Sequence, residues 1–265
     1  MPNALIGGCA VLLYLLSGGL LGRRLSHPDA HPGRGRILLL GLLAIILHAL
    51  LLTPHLLDEG LSLGFFNALS ASGWLIGAVL LLAALAYPVE NLGIILWPFS
   101  ALTLLLGLML PSAPLEGAAD WRVQMHAVVS LLAYSLLALA AMQALLLAIQ
   151  HRRLHDRRPG GFLRGIPALS TTEALLFQML GVGFALLSLS LVTGLFFLED
   201  IFAQHLVHKT TLSLFAWLVL AVILWGRWRH GWRGRVAVGW ILGAFVALVL
   251  AYFGSKLVLE LILER

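Results

Sequence analysis

Charged residues are scarce in this sequence, and cysteine is nearly absent. Of the 265 residues only 11% are charged and 60% are hydrophobic, whereas soluble domains carry roughly 25% charged residues. The single cysteine, Cys9, excludes an internal disulfide, a paired-cysteine redox motif and a cysteine-based zinc site. Glycine-rich phosphate loops and the Gly-x-Ser-x-Gly and His-Glu-x-x-His motifs are also missing. These absences argue against a soluble domain, and we expect no enzymatic turnover.

What the sequence has instead is a series of long apolar runs. A helix needs about 20 apolar residues to cross the hydrocarbon core of a bilayer. Eight runs meet this requirement, at roughly 4–22, 37–53, 66–87, 92–110, 124–149, 172–197, 207–226 and 236–258. Ser170 and Glu173 have capping-box spacing and predict the start of the sixth run. The predicted fold is therefore all-α, a polytopic bundle of about eight transmembrane helices that forms a single membrane domain over 1–265.

The arginines predict the orientation of this bundle. Thirteen of the 17 Lys and Arg residues fall in three loops, 23–36, 152–164 and 227–235, which lie on one side of the membrane if the spans alternate. Basic loops stay on the cytoplasmic side. We therefore expect a multi-pass protein of a bacterial inner membrane with both termini on the outer, periplasmic face. Short basic clusters between apolar runs indicate topology and not nucleic-acid binding.

Three histidines fall in or near the outer half of the predicted spans: His48, His126 and His208. An ionisable side chain in hydrocarbon is costly, so each is a candidate for function. Each also has a structural alternative. His48 could form an interhelical hydrogen bond, His126 could be a capping or interfacial residue, and His208 could lie at a water-exposed helix start.

His126 has the strongest pattern of the three. Ser130 and Tyr134 follow it at intervals of four residues, so the three side chains share one helix face. Imidazole is a good iron ligand, and two axial histidines commonly hold a haem. Aromatic residues such as Trp217 could line a slot for it. From the residues alone, haem, quinone, a metal ion and simple packing all remain open.

Two segments resemble a known family. Met125-His126 followed by Ser130 to Tyr134 is similar to the helix of cytochrome c assembly proteins, of the CcsA and CcmC type, that carries an external haem-binding histidine. The landmarks Lys209, Thr211, Trp217-Leu218-Val219, Trp232-Arg233-Gly234 and Tyr252-Phe253-Gly254 extend the resemblance in the family's order. The short architecture, with Pro88 to Gly93 before the fourth span, resembles the YpjD- and HemX-like branch.

The resemblance implies a haem-handling membrane protein with haem b as cofactor and another membrane protein of haem or cytochrome assembly as partner. His126 carries over as a candidate axial ligand. From the predicted topology, and not from the resemblance, His208 or His48 is the candidate for the second. The sequence departs from the family in two places. Residues 202–213 contain no tryptophan and lack the family's aspartate, and no histidine follows Gly254. A non-catalytic regulator or scaffold is therefore the alternative, and a small-solute transporter a third.

Overall fold

The computed structural model describes residues 2–26, 33–53, 64–110, 120–156, 165–197, 204–232 and 234–257. Throughout these ranges the chain is helical, with short turns and no strand. The helices are α1 (Pro2–Ser26), α2 (Arg34–Thr53), α3 (Phe65–Ala86), α4 (Gly93–Met109), α5 (Trp121–His155), α6 (Leu169–Phe197), α7 (Gln204–His230) and α8 (Arg235–Val249). A 3₁₀ turn at Glu90–Leu92 precedes α4, and a π-helical turn at Leu250–Gly254 extends α8.

Within the described ranges, eight helices are long and apolar enough to cross a membrane. This confirms the predicted all-α fold with eight spans. The predicted helix ends were less accurate. They were placed where each apolar run stops, but a helix can continue into the polar residues beyond the hydrocarbon. The fifth helix illustrates this: it has 35 residues and runs on through the basic segment up to His155. Arg157, Arg158, Arg164 and Arg233, on which the predicted orientation partly depends, lie outside the described residues.

The predicted capping box at the start of the sixth span is wrong. The helix begins at Leu169, directly after Pro167 and Ala168, so Ser170 is already helical. Thr172 donates its backbone N–H to the carbonyl of Ala168 at 3.0 Å. The carboxylate of Glu173 instead accepts a hydrogen bond from Arg227 of α7 at 2.7 Å. The Glu173 carboxylate, which a capping box would use, therefore forms an ion pair between α6 and α7.

The chain divides into two compact units. The N-terminal unit comprises residues 1–118 and 159–167 and contains α1 to α4. In it α1 packs against α2 and α4, and α3 packs against α2 and α4, so that the four helices form a closed ring. Small residues permit this packing: a Cβ on Gly41 would lie 2.8 Å from the Trp97 ring.

The C-terminal unit comprises residues 119–158 and 168–265 and contains α5 to α8. Helix α5 packs along α6 and α8, while α7 contacts α6, α8 and the π-helical turn. This unit is thus a second ring of four helices. The prediction of a single membrane domain over 1–265 stays a prediction.

Candidate functional site

The C-terminal unit contains a cavity of about 550 Å³. This volume lies within the range of pockets that hold small molecules and cofactors, about 300–1,000 Å³. Helices α5, α6 and α7 and the π-helical turn after α8 supply its walls. Most of the wall is apolar, and the polar groups are an imidazole, an ammonium group and several hydroxyls. An apolar cavity with a few convergent polar groups is the usual form of a ligand site.

The cavity lies at one end of this ring of helices. His126 is in the second turn of α5 and Lys209 is in the second turn of α7. Both helices therefore line the cavity with residues near their N-terminal ends. Gly194 and Leu195 come from the last turn of α6, and Tyr252 comes from the π-helical turn. The arginine distribution predicts that this end of the unit faces the outer side of the membrane.

Side chains of α6 hold the half-buried ring of His126. Its Nδ1 lies 3.2 Å from Oγ1 of Thr193, and that hydroxyl donates its own hydrogen to the carbonyl of Ser190 at 3.0 Å. With its hydrogen directed at that carbonyl, the Thr193 oxygen would accept from His126. This geometry favours the neutral tautomer with the proton on Nδ1 and with Nε2 as the acceptor nitrogen.

Oγ of Ser130 lies 3.5 Å from Nε2 of His126, the long limit of a hydrogen bond. The imidazole also forms a hydrogen bond with the backbone of Ser190. Ser130 donates its hydrogen to the carbonyl of His126 at 2.6 Å and lies 2.7 Å from Oγ of Ser190. A histidine whose Nδ1 is held by a neighbouring group has the arrangement typical of metal-ligating histidines.

Gly194 makes room for this ring. A Cβ at position 194 would lie 3.0 Å from Cε1 of His126, which is closer than side chains normally pack. The glycine therefore lets the imidazole lie directly against α6. Thr193 and Gly194 together set the distance and the rotation of the ring.

Tyr134 and Trp217, both predicted from the sequence, line the same cavity. The ring of Tyr134 lies 5.7 Å from that of Tyr252, and its hydroxyl forms a hydrogen bond with Ser213. Trp217 donates its indole N–H to Oγ of Ser188 at 2.8 Å and stacks on Phe184 at 5.5 Å. The structure thus brings His126, Tyr134 and Trp217 together around one cavity.

His208 does not line the cavity. It is exposed, and its backbone carbonyl lies 3.2 Å from the hydroxyl of Thr211. One residue along a helix rotates a side chain by about 100°, and the next residue, Lys209, does line the cavity. The side chain of His205, one turn earlier, lies outside the described residues.

His48 belongs to the N-terminal unit and is fully buried there. Its Nδ1 lies 3.3 Å from the hydroxyl of Tyr14 and its Nε2 lies 3.0 Å from Oγ of Ser70. Both ring nitrogens therefore have hydrogen-bonding partners from neighbouring helices. This is the interhelical hydrogen bond that was the structural alternative for His48, and the cavity wall in the C-terminal unit does not include this residue.

Comparison with known proteins identifies the family of the chain. The cytochrome c assembly protein family profile matches residues 37–263. The chain belongs to the cytochrome c assembly protein family. It is 34% identical to the inner membrane protein YpjD of Escherichia coli strain K12 over 230 residues, which cover 83% of this chain and 85% of that protein. It is a multi-pass inner membrane protein.

Two further relatives are a cytochrome c biogenesis protein and the protein HemX. The chain is 25% identical to the cytochrome c biogenesis protein CcsA of Chlamydomonas reinhardtii over 158 residues, covering 57% of this chain and 43% of that protein. It is 24% identical to the protein HemX of Brevibacillus brevis over 157 residues, covering 57% of this chain and 58% of that protein. No solved structure is significantly similar to this family member.

Sequence reasoning missed the residues that orient His126. Ser190, Thr193 and Gly194 are spaced three and four residues apart in an otherwise apolar span. Small and hydroxylated residues at that spacing are typical of close helix–helix contacts in membranes. This stripe on α6 predicts a close contact with another helix, but it does not indicate which helix that is.

Proposed function

We propose that this member of the cytochrome c assembly family binds haem in the cavity of the C-terminal unit, with Nε2 of His126 as an axial ligand to the iron. The observation that carries the proposal is the state of the His126 ring. Its Nδ1 lies 3.2 Å from the hydroxyl of Thr193, and His126 lines a cavity of about 550 Å³. The proposed role is to hold haem near the outer face of the membrane and to hand it to a partner, without catalytic turnover.

The residues around the cavity fit this ligand. A haem has a large apolar ring, and the wall offers leucines together with the aromatic rings of Trp217, Tyr134 and Tyr252. Haem also carries two carboxylates at one edge, and Lys209 and Thr210 border the cavity near the beginning of α7. The ammonium group of Lys209 favours negative charge. The bound haem would supply an iron centre that accepts an imidazole nitrogen.

An absorption spectrum of the purified protein tests this proposal. Protein from haem-replete cells, or protein titrated with hemin, should show a Soret band whose reduced spectrum indicates b-type haem. His126→Ala should abolish or strongly weaken this band because it removes the iron ligand. His155→Ala is the matched control, since His155 is an exposed histidine at the other end of the same helix.

Two results would count against haem binding. One is wild-type protein that shows no Soret absorbance after titration with hemin. The other is a His126→Ala variant that binds hemin with the same affinity and spectrum as His155→Ala.

A non-catalytic regulator is the second candidate function. Its support is the similarity to HemX and the absence of tryptophan from residues 202–213. Within the described side chains, His126 is also the only histidine that borders the cavity. Under this alternative, a stoichiometric partner should co-purify with the protein. The amount of that partner should not change when His48, His126 and His208 are mutated together.

A further inference from the structure

The cavity wall between α6 and α7 includes exposed side chains. Three residues both line the cavity and are exposed: Val192 (48% exposed) and Leu195 (62%) on α6, and Leu214 (45%) on α7. All three are apolar and lie on spans that cross the membrane. Exposed apolar side chains on membrane spans are suited to contact with lipid, so an opening at these three residues would lead toward the hydrocarbon.

The inner end of this opening is closed by a fixed contact. Trp217 of α7 donates to Oγ of Ser188 on α6 at 2.8 Å and stacks on Phe184 at 5.5 Å. Ser188 in turn donates to the carbonyl of Phe184 at 2.8 Å. These contacts hold α6 and α7 together at one level of the bundle. The gap between them therefore begins beyond Trp217 and extends toward the ends of the helices at Phe197 and Gln204.

The polarity of the cavity changes along this gap. Near Trp217 the wall has no charged group, and its Ser188 hydroxyl is already bonded to the indole, while the ammonium group of Lys209 lies two turns earlier on α7. In the cavity, a molecule with an apolar body and an anionic edge would place that edge near Lys209, toward the membrane surface. It has the same orientation in a bilayer leaflet, where the anionic edge lies among the headgroups. It could exchange between the two without turning over and without exposing its apolar face to water.

We propose that haem enters and leaves the cavity sideways from the outer leaflet of the membrane, through the opening formed by Val192, Leu195 and Leu214. This proposal rests on the proposed function, because it assumes haem as the occupant. Lateral exchange keeps the apolar ring of haem out of water at every step. The Trp217–Ser188 contact sets the inner limit of the opening.

Narrowing the opening without touching the iron ligand tests this route. Val192→Trp places a bulky ring at the opening. Leu189→Trp is the matched control, because Leu189 lies on the same helix, is equally exposed at 48% and does not line the cavity. Each variant is reconstituted in full length into vesicles of phosphatidylethanolamine and phosphatidylglycerol. Loading is followed by Soret absorbance after mixing with hemin-containing vesicles of the same lipids, and release by transfer to apomyoglobin.

A lateral route predicts that Val192→Trp slows loading and release by the same factor, about tenfold for an added barrier of about 1.4 kcal/mol. The final Soret amplitude should be unchanged, because a narrower route alters both rates and not the affinity. Leu189→Trp should load and release hemin at wild-type rates. If Val192→Trp does not fold, Leu214→Trp replaces it, with Leu218→Trp as the control on α7.

Two results would overturn the route. Wild-type rates in both Val192→Trp and Leu214→Trp would show that hemin passes elsewhere. A lower amplitude with an unchanged loading rate would show that the new ring occupies the cavity and does not obstruct its entrance. Both results leave haem binding intact, whereas wild-type protein that takes up no hemin would refute the proposed function itself.

Discussion

The ring of His126 is positioned by side chains of α6 and not by its own helix alone. Oγ1 of Thr193 lies 3.2 Å from Nδ1, and that hydroxyl also lies 3.0 Å from the carbonyl of Ser190. Groups that orient a metal-ligating histidine in this way typically change metal affinity by about 10–100-fold when they are altered. If His126 ligates haem iron as proposed, its affinity should therefore depend on α6 residues that hold its ring.

Gly194→Ala should weaken haem binding through the position of this ring. The new methyl group would lie 3.0 Å from Cε1 of His126 and push the imidazole toward the cavity. We expect about tenfold weaker hemin binding, the lower end of the effect of misplacing a ligand, with a shifted Soret maximum. The measurement is a hemin titration of the purified variant.

Gly181→Ala is the control for that substitution. Gly181 is also on α6, but a Cβ there would meet no heavy atom within 4 Å. Alanine is the better helix former by about 0.5–1 kcal/mol, so this variant should bind hemin like wild type and be at least as stable. Equal hemin affinities for the two variants would show that Gly194 does not position His126.

Helices α1, α2 and α3 are joined by a buried hydrogen-bonded chain through Tyr14, His48 and Ser70. Tyr14 and His48 are both fully buried. In hydrocarbon, polar groups of this kind are satisfied by neighbouring helices because water is absent. The chain of hydrogen bonds gives His48 a role in holding the N-terminal unit together.

His48→Ala should therefore lower stability and leave haem binding unchanged. It strands the hydroxyls of Tyr14 and Ser70, which costs about 1–3 kcal/mol, and it leaves a space in the packed core. The thermal midpoint in detergent should fall, while hemin affinity and the Soret spectrum of the folded fraction should match those of wild type. A folded His48→Ala protein that has lost its Soret band would instead assign His48 as a ligand.

Each unit also has an arginine–carboxylate pair near the predicted inner side. In the N-terminal unit Arg34 lies 3.3 Å from Glu90, and in the C-terminal unit Arg227 lies 2.7 Å from Glu173. The side chains of Glu90 and Glu173 are each only 13% exposed. These pairs neutralise two of the basic residues that define the topology and connect helix ends within each unit.

At the scale of the whole molecule, the predicted orientation places both termini and the cavity of the C-terminal unit on the outer side. Two positions at opposite ends of α5 test it in a Cys9→Ser background. Arg122→Cys lies at the cavity end and His155→Cys at the other end, and both native side chains are exposed. A membrane-impermeant thiol reagent should label Arg122→Cys in intact spheroplasts and His155→Cys only after the membrane is opened.

Labelling of His155→Cys in intact spheroplasts, and of Arg122→Cys only after lysis, would show that the orientation is the opposite of the predicted one. The cavity would then lie on the cytoplasmic side. Labelling of neither position before and after lysis would show that the ends of α5 are covered. Orientation matters for function because a haem site on the outer side can serve proteins of the periplasm.

The spans were predictable because hydrophobicity is a local property. Runs such as 37–53 and 66–87 correspond closely to α2 and α3, since a bilayer imposes the same length on every span. Helix ends were less predictable. At α6, the start depends on Pro167 and on the Glu173–Arg227 pair, which no single segment reveals.

The candidate site was predictable only in part. His126 and Tyr134 are on one helix, and their spacing placed them together in advance. By contrast, His48 and His208 were grouped with His126 only by depth in the membrane. Depth does not determine which direction a side chain faces, and the structure gives His48 hydrogen bonds in the N-terminal unit and leaves His208 exposed.

The sequence by itself determined that this protein is a bundle of eight membrane helices and that it resembles the cytochrome c assembly family, because apolar length and family motifs are both written along the chain. Only the tertiary structure decided which histidine borders a cavity and which side chains hold its ring. That choice depends on side chains of α6, more than 60 residues away from His126 along the chain: Thr193 lies 67 residues from it. Contacts between residues so far apart arise only when the helices pack.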